Sequence, residues 1–266
     1  MIERWNGTSW SIVPSPSPGG FSSILYGVTA ISASDAWAVG YYNNSIGKTL
    51  IEHWDGTSWS VVSSPNPSGA NASGLNAIAR VKGTNQLWAV GDYQTGSGGP
   101  SQTLIEQWNG TSWSIISSPS PGSFSNILSG VTAISASDVW AVGAYNAGTP
   151  ADQTLIEQWN GSSWSVVTSP NVGSGSNDLY AVTALSGNDI WAAGSYLNSS
   201  GVLQTLTEQW NGSNWNVVPS ANKGAHFNEL FGVSGISRTG VIWAVGDYTL
   251  KNGYSGPYHT LVEFYC

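Results

Sequence analysis

Cysteine, methionine and charged side chains are all scarce in this sequence. Of its 266 residues, one is cysteine, one is methionine, and charged residues make up 8%. The single cysteine, Cys266, is the last residue, so no disulfide can form within the chain and cysteine usage does not indicate a redox compartment. No apolar run approaches the roughly 20 residues that a membrane-spanning helix needs, so we predict no membrane insertion.

Basic side chains are especially few, with 7 lysines and arginines against 15 aspartates and glutamates and a formal net charge of −8. Binding to phosphate requires clustered Lys and Arg, so we predict no nucleic-acid partner. Gly, Ser, Asn and Thr replace charge on the predicted surface, a composition typical of secreted or cell-surface proteins. The opening residues, MIERWNGTSW, carry no signal-peptide pattern and enter a repeat in mid-strand, so we expect an interior start.

Internal repetition is the strongest feature that the sequence does have. All 15 tryptophans belong to two motifs that alternate along the chain. The pattern W-[ND]-G-[TS]-x-W occupies 5–10, 54–59, 108–113, 159–164 and 210–215. The pattern W-A-[VA]-G-x-Y occupies 37–42, 88–93, 140–145, 191–196 and 243–248. A third pattern, T-L-[ITV]-E, precedes most copies of the first and places Glu at 52, 106, 157, 208 and 263, with Glu3 as a truncated copy.

Each repeat is predicted to form four antiparallel strands. In the first complete repeat these are 25–32, 36–42, 49–54 and 57–63, all short and rich in Val, Thr, Ile and Trp. The Asn-Gly or Asp-Gly pair between the last two strands supplies the positive φ angles of a tight hairpin. No segment shows a convincing helical period.

Four such strands cannot bury both of their apolar faces alone, but copies packed around a common axis can. Each buried Trp removes about 200 Å² from water, or about 5 kcal/mol before the entropy of ordering the chain. We therefore expect residues 1–266 to form one all-β domain, a five-bladed β-propeller of four-stranded blades. The fourth strand of the last blade would come from 8–14, which closes the ring between the termini and leaves one third strand, 2–5 or 260–265, in excess. The predicted blades are 25–63, 74–117, 127–168, 178–218 and 229–265.

The repeat resembles the kelch, or galactose-oxidase-like, propeller unit. The matching residues are W-A-V-G, a variable loop, and then T-L-I-E-x-W-[ND]-G-[TS]-S-W, and they recur over nearly the whole chain. The repeat departs from kelch in having a single glycine where kelch has two, at Gly40, Gly91, Gly143, Gly194 and Gly246. The resemblance implies the fold and hardly constrains activity.

Antiparallel strands place the short, nearly invariant turns on one face of the propeller and the long, variable loops on the other. Binding commonly lies in variable loops on a constant scaffold, although unrestrained drift would also vary them. One set of candidate binding residues follows a repeated Leu near the mouth of the central funnel: Tyr26, Asn76, Ser129, Tyr180 and Phe231. A second set opens the long loops and repeats in every blade, so packing is its simpler explanation: Tyr42, Tyr93, Tyr145, Tyr196 and Tyr248.

Catalytic, metal and cofactor motifs are not recognisable. The three histidines, His53, His226 and His259, occupy unrelated repeat positions without a nucleophile motif. The funnel carboxylates form no readable set in the sequence: Asp92, Asp178, Glu229 and Asp247. The repeated Glu of T-L-[ITV]-E is expected to accept hydrogen bonds from indole N–H or backbone groups rather than to bind calcium, because copies on separate blades point apart. We predict no catalytic residue, no metal and no cofactor.

The sequence thus predicts a non-enzymatic recognition domain that binds carbohydrate on the long-loop face, since aromatic rings stack on sugars and amides bond hydroxyls. A protein-interaction platform and a structural domain without a ligand are the alternatives, and a glycosidase-type enzyme is a further one. The chain is expected to be a monomer or, through the spare strand, a strand-exchanged homo-oligomer.

Overall fold

The computed structural model describes residues 1–96, 98–237, 239–250 and 256–266, and the regular elements in these ranges are all β-strands. No helix in the described ranges is long and apolar enough to cross a membrane. The strands are β1 (Ile2–Trp5), β2 (Trp10–Val13), β3 (Ser22–Ser32), β4 (Asp35–Asn43), β5 (Gly47–Trp54), β6 (Trp59–Val62), β7 (Ala70–Arg80), β8 (Leu87–Thr95), β9 (Ser101–Trp108), β10 (Trp113–Ile115), β11 (Ser125–Ser135), β12 (Asp138–Asn146), β13 (Gln153–Trp159), β14 (Trp164–Val166), β15 (Asn177–Ser186), β16 (Asp189–Leu197), β17 (Leu203–Trp210), β18 (Trp215–Val218), β19 (Phe227–Ile236), β20 (Val241–Thr249) and β21 (Tyr258–Tyr265).

These strands form six antiparallel sheets that follow one another along the chain. Four sheets have four strands each, β3–β6, β7–β10, β11–β14 and β15–β18. The N-terminal hairpin β1–β2 precedes them and the three-stranded sheet β19–β21 follows. The five sheets from β3 onward pack face to face with their neighbours, with the first strands β3, β7, β11, β15 and β19 in contact in that order. The prediction of all-β, four-stranded propeller blades is confirmed.

The predicted count of five blades and the predicted closure are wrong. The chain forms six sheets, and β2 pairs with β1 in the register Ile2↔Val13 and Trp5↔Trp10. Residues 8–14 therefore do not complete the last blade, in which β21 pairs with β20. The local hairpin closes a loop of a few residues, whereas pairing with β21 must close a loop of nearly the whole chain at a larger entropic cost.

The hairpin between the third and fourth strands of each blade forms as predicted, but only its glycine has a positive φ. Gly7 has φ 102°, and its four equivalents are similar. The preceding Asn6 caps the turn instead, because its Oδ1 accepts hydrogen bonds from the backbone N–H of Thr8 and of Ser9, both at 2.9 Å. The W-[ND]-G-[TS] motif therefore encodes a side-chain-capped turn.

Tryptophans interlock neighbouring blades. In the first three four-stranded blades, the Trp of the second strand packs on the two Trp of the third and fourth strands of the next blade. Trp88 lies 5.0 Å from Trp159 and 5.3 Å from Trp164, between ring centroids. The same contacts join Trp37 to Trp108 and Trp113, and Trp140 to Trp210 and Trp215. In these three blades one indole is thus enclosed by two from the next blade, in the tilted and edge-on geometries that aromatic rings prefer. In the fourth, Trp191 packs on Tyr265 instead.

An aspartate at the start of the second strand anchors this indole in three blades. Asp138 Oδ1 accepts hydrogen bonds from Trp140 Nε1 at 2.8 Å and from Gln158 Nε2 at 3.0 Å. Asp189 and Asp35 hold Trp191 and Trp37 in the same way. In the second blade Gln86 occupies this position, and Trp88 Nε1 is buried without a hydrogen-bond partner.

The predicted hydrogen bonds are not found at three of the repeated glutamates. Glu106, Glu157 and Glu208 are fully buried, and both carboxyl oxygens of each lack a hydrogen-bond partner among the described residues. In the last blade, by contrast, the carboxyl of Glu263 accepts a backbone hydrogen bond from Ala221.

The two indoles expected to serve Glu157 do not donate to it. Trp159 donates to Ala136 O, and Trp164 Nε1 has no hydrogen-bond partner among the described residues. Burial raises the pKa of Glu106, Glu157 and Glu208 to about 8. They are therefore largely protonated at neutral pH.

The single repeated glycine marks a close approach between the first two strands of each blade. A β-bulge in the first strand, such as the register shift between Leu128 and Gly130, brings a backbone carbonyl over the glycine. A Cβ at Gly143 would collide with the carbonyl oxygen of Ile127, and the equivalent glycines meet the same obstacle. This close approach explains why the position recurs as glycine in every blade.

Substitution of Asp138 by alanine should destabilise the fold, because the Trp140 and Gln158 donors lose their acceptor. We expect a loss of roughly 1–3 kcal/mol in the free energy of unfolding, measured by urea denaturation. Gln86→Ala is the matched control, since Gln86 holds the same position without binding the indole, and it should change stability by less than about 0.5 kcal/mol. Equal effects of the two substitutions would contradict the assigned role of Asp138.

The buried glutamates should make the protein more stable at pH 5 than at pH 8. Their folded pKa lies above the ordinary value of 4.5, so between about 4.5 and about 8 the folded state binds more protons than the unfolded state. Stability then falls as pH rises through this window, by up to about 1.4 kcal/mol per pH unit for each carboxyl. The measurement is the free energy of unfolding at several pH values.

The triple variant Glu106→Gln, Glu157→Gln and Glu208→Gln provides the control, because an amide does not ionise. Its unfolding free energy should vary much less between pH 5 and pH 8 than that of the unmodified chain. A wild-type stability that rises over this range would refute the assignment.

Candidate functional site

The variable first-strand residues gather in two places on the propeller. Tyr26 on β3 and Asn76 on β7 line one cavity between the first two four-stranded blades. Tyr180 on β15 and Phe231 on β19 stack on each other further round, with ring centroids 5.6 Å apart. Ser129 on β11 is half-buried and does not line the cavity of Tyr26 and Asn76. The predicted positions therefore contribute to two separate sites.

The first site is an open cleft of about 340 Å³ on the long-loop face. Its wall includes Tyr26 and Tyr41, whose rings stack with centroids 6.0 Å apart and planes inclined by 24°. The end of β4, the loop that follows it and the first half of β7 supply more of the lining, including Asn43, Ser73 and Asn76. An aromatic wall facing amides and hydroxyls is an arrangement that suits a polyhydroxylated ligand.

Two oxygen atoms in this cleft lack an internal partner. Ser73 Oγ and Asn43 Oδ1 are buried, and neither has a hydrogen-bond partner among the described residues. Ser45, which also lines the cleft, has φ 81° and is the non-glycine residue with positive φ in the described chain. Unsatisfied buried oxygens and local backbone strain both concentrate at binding sites.

A carboxyl group lies at the inner end of the cleft. Burial raises the pKa of Asp92 to about 6, and a hydrogen bond from Asn76 opposes that increase. Asn76 Nδ2 also donates to the backbone carbonyl of Leu128 at 2.9 Å, which ties the cleft to the third four-stranded blade. The lining contains no Lys or Arg, so the cleft offers no cation to an anionic ligand.

The second site is an acidic cluster between the last two blades. Tyr180 Oη lies 3.4 Å from Glu229 Oε1 and 3.3 Å from Ser195 Oγ. Glu229 pairs across the strands with Asp247. Three of the carboxylates that formed no readable set in the sequence thus converge here, because Asp178 also interacts electrostatically with Glu229.

The electrostatics of this cluster favour protonated groups. Burial and then the charges of Asp152 and Glu229 raise the pKa of Asp178 to about 6. Burial and then Asp247 raise the pKa of Glu229, against hydrogen bonds from Tyr180 and Ser195. Burial, above all, also raises the pKa of the Tyr180 phenol, so this hydroxyl is not activated as a nucleophile.

The repeated tyrosines that open the long loops are half-buried and contact the blade cores. Tyr93, Tyr145, Tyr196 and Tyr248 each pack against the hydrophobic cluster of their own region. Tyr145 Oη also donates to Gln153 Oε1 at 2.6 Å. Tyr42 is half-buried as well. These contacts favour a packing role for the set over a binding role.

Histidine, arginine and metal-binding groups do not form a further site in the described ranges. His53 binds Asp35 and stacks on Trp37, and His259 stacks on Tyr248. Arg80 Nη1 donates to a backbone carbonyl at 2.9 Å. Arg238 lies outside the described residues. Within the described residues, no three His, Cys, Asp or Glu side chains are placed to hold a metal ion.

Sequence reasoning missed several residues of the cleft, among them Tyr41, Asn43 and Ser73. Tyr41 follows the repeated Gly40 at a position that varies between blades, occupied by Asp92, Ala144 and others. That variation within a constant motif was an available signal. Asn43 and Ser73 lie in segments that differ between repeats, so only the packing of two blades reveals that they share a cleft.

Comparisons with solved structures identify the fold class. A fungal lectin from Aleuria aurantia, described as a six-bladed β-propeller with a fucose recognition mode, superposes with a TM-score of 0.53 at 16% identity, covering 92% of this chain and 75% of the lectin. A Trypanosoma rangeli sialidase in complex with sialic acid gives a TM-score of 0.58 at 14% identity, covering 98% of this chain and 48% of the sialidase. YCF48 bound to D1 peptide gives a TM-score of 0.53 at 14% identity, covering 92% of this chain and 66% of YCF48.

These likenesses show a β-propeller repeat fold, and at such identities they show the fold alone. The chain spans about half the length of the sialidase and just under two thirds of YCF48. No family model and no curated protein matches the sequence. The kelch-like repeat is therefore supported as a propeller repeat, without assignment to the kelch family itself.

Proposed function

We propose that this chain is a non-enzymatic recognition domain that binds a neutral carbohydrate in the cleft between its first two four-stranded blades. The observation that carries the proposal is the combination of the stacked Tyr26–Tyr41 pair with the unpartnered oxygens of Ser73 and Asn43 in one open cavity. A sugar ring stacks on aromatic faces, and its hydroxyls supply the hydrogen bonds that the cleft lacks. The lectin among the structural neighbours supports the proposal through fold likeness.

The cleft lining contains no Lys or Arg, which favours neutral carbohydrates over acidic ones. A carboxylated or sulfated sugar would meet Asp92 without a compensating cation, which costs binding free energy. A neutral sugar is free of this repulsion, and its hydroxyls can donate to the carboxylate. The proposed ligand class is therefore neutral glycans on a cell surface.

Substitution of Tyr26 by alanine should weaken glycan binding about tenfold, because the stacking surface is lost. The measurement is a glycan array followed by titration calorimetry with the strongest neutral hit. Tyr258→Ala removes another exposed tyrosine that does not line the cleft, and it should bind normally. Binding of acidic glycans alone, or equal binding by both variants, would contradict the proposal.

Substitution of Ser73 by alanine separates binding from stability. The buried hydroxyl has no internal partner, so its removal should leave the unfolding free energy unchanged or raise it. The same substitution should weaken glycan binding several-fold, because a ligand hydroxyl loses its partner. A loss of stability without a loss of binding would show that Ser73 is structural.

A glycosidase-type activity is the second candidate, and the acidic cluster is the observation that favours it. Asp178 and Glu229 both have raised pKa values, as a general acid requires. The test is release of reducing sugar from neutral glycosides by the unmodified chain and by Glu229→Gln. Turnover that Glu229→Gln abolishes would establish an enzyme, whereas binding without turnover supports recognition alone.

A further inference from the structure

The outer face of the last blade, β19–β21, leaves its second-strand tryptophan uncovered. The second-strand tryptophan of each four-stranded blade is covered. Trp243 is 46% exposed, whereas its four equivalents, Trp37, Trp88, Trp140 and Trp191, are at most 4% exposed. Val245 and Phe264 are exposed beside it. In the first three four-stranded blades this face is enclosed by the paired tryptophans of the next blade, and in the fourth Tyr265 packs on Trp191.

The hairpin β1–β2 presents the complementary surface. Trp5 and Trp10 are 49% and 65% exposed, and Ile12 is exposed on the same face. The ring centroids of Trp5 and Trp10 are 5.8 Å apart, and their planes are inclined by 48°. In the interior pair Trp108–Trp113, which encloses Trp37, the centroid distance is 5.8 Å and the interplanar angle 44°. The hairpin therefore displays the covering half of a blade interface, already in the interior geometry.

The opposite face of the hairpin lies toward its own chain. Ile2, Arg4 and Val13 face the first four-stranded blade, and Arg4 lies over the ring of Trp54 at 5.5 Å. The hairpin thus lies before the first four-stranded blade, and its tryptophan pair remains 49% and 65% exposed although part of it lines the cavity toward Trp54. A partner can reach that pair without displacing any strand.

We propose that the exposed face of β19–β21 in one copy of this chain binds the exposed Trp5–Trp10 face of the hairpin in a second copy. Both halves of an interface that recurs inside the chain are present in each molecule, and both remain uncovered there. Trp243 would then be enclosed by Trp5 and Trp10 as Trp37 is by Trp108 and Trp113. Such a head-to-tail contact joins two different surfaces, so it can extend beyond two copies.

Complementation between two variants tests the contact. Trp243→Ser disables one face, and the double variant Trp5→Ser, Trp10→Ser disables the other. We expect the unmodified chain to sediment as concentration-dependent oligomers, and each variant alone as a 27.9 kDa monomer. An equimolar mixture should form a one-to-one complex of 55.8 kDa, twice 27.9 kDa, because each variant retains the face that the other lacks. Analytical ultracentrifugation measures the masses.

Phe124→Ser is the matched control, because it removes an exposed aromatic side chain that lies on neither face. It should associate as the unmodified chain does. Circular dichroism and urea unfolding of every variant check that it is folded, which is expected since the substituted side chains are exposed. A monomeric unmodified chain at all concentrations, or a mixture of the two variants that remains at 27.9 kDa, would overturn the proposal.

Discussion

The enclosure of one indole by two from the next blade is the contact on which this fold depends. No single four-stranded sheet here can bury its own faces, and each relies on its neighbour to cover the Trp of its second strand. The turn aspartate fixes that ring, and the capped hairpin fixes the pair that receives it. Because the same three side chains recur in register, the three interfaces between the four-stranded blades have nearly the same geometry. A core with little Leu and Phe is sufficient since each Trp buries so much area.

Local features of this fold were predictable from the sequence, and the closure of the array was not. Short β-branched runs and the W-[ND]-G-[TS]-x-W hairpin determine strands within a blade, and the structure has them where the motifs place them. The number of sheets depends on which of two third strands pairs with β2. Residues 2–5 and 260–265 carry similar side chains, so pattern alone cannot choose between them. Chain entropy decides in favour of β1, which is joined to β2 by a short loop.

Individual residues of the candidate site were predictable from the sequence, but the full set of residues that line it was not. Tyr26 and Asn76 were identifiable because they vary within a constant frame, and both line one cleft. Their convergence with Asn43 and Ser73 depends on how two blades are set against each other, which no single repeat encodes. The same limit explains why the hydrogen bonding of the repeated glutamates was not predicted correctly. Sequence spacing placed Glu157 beside two indoles, but Trp159 donates its N–H to Ala136 O, and Trp164 Nε1 has no hydrogen-bond partner among the described residues.

The repeated interface leaves matching uncovered surfaces at the two ends of the array. An interface that recurs along the array does not distinguish its own neighbour from an equivalent surface on another molecule. The cleft that carries the proposed binding chemistry lies on the long-loop face, between two blades, while the uncovered tryptophans lie at the array's ends. Association through the ends would therefore leave the cleft of each chain open and repeat it along the assembly. Several weak carbohydrate contacts would then act at high effective concentration, so a single shallow cleft per chain could support tight attachment to a glycan-covered surface.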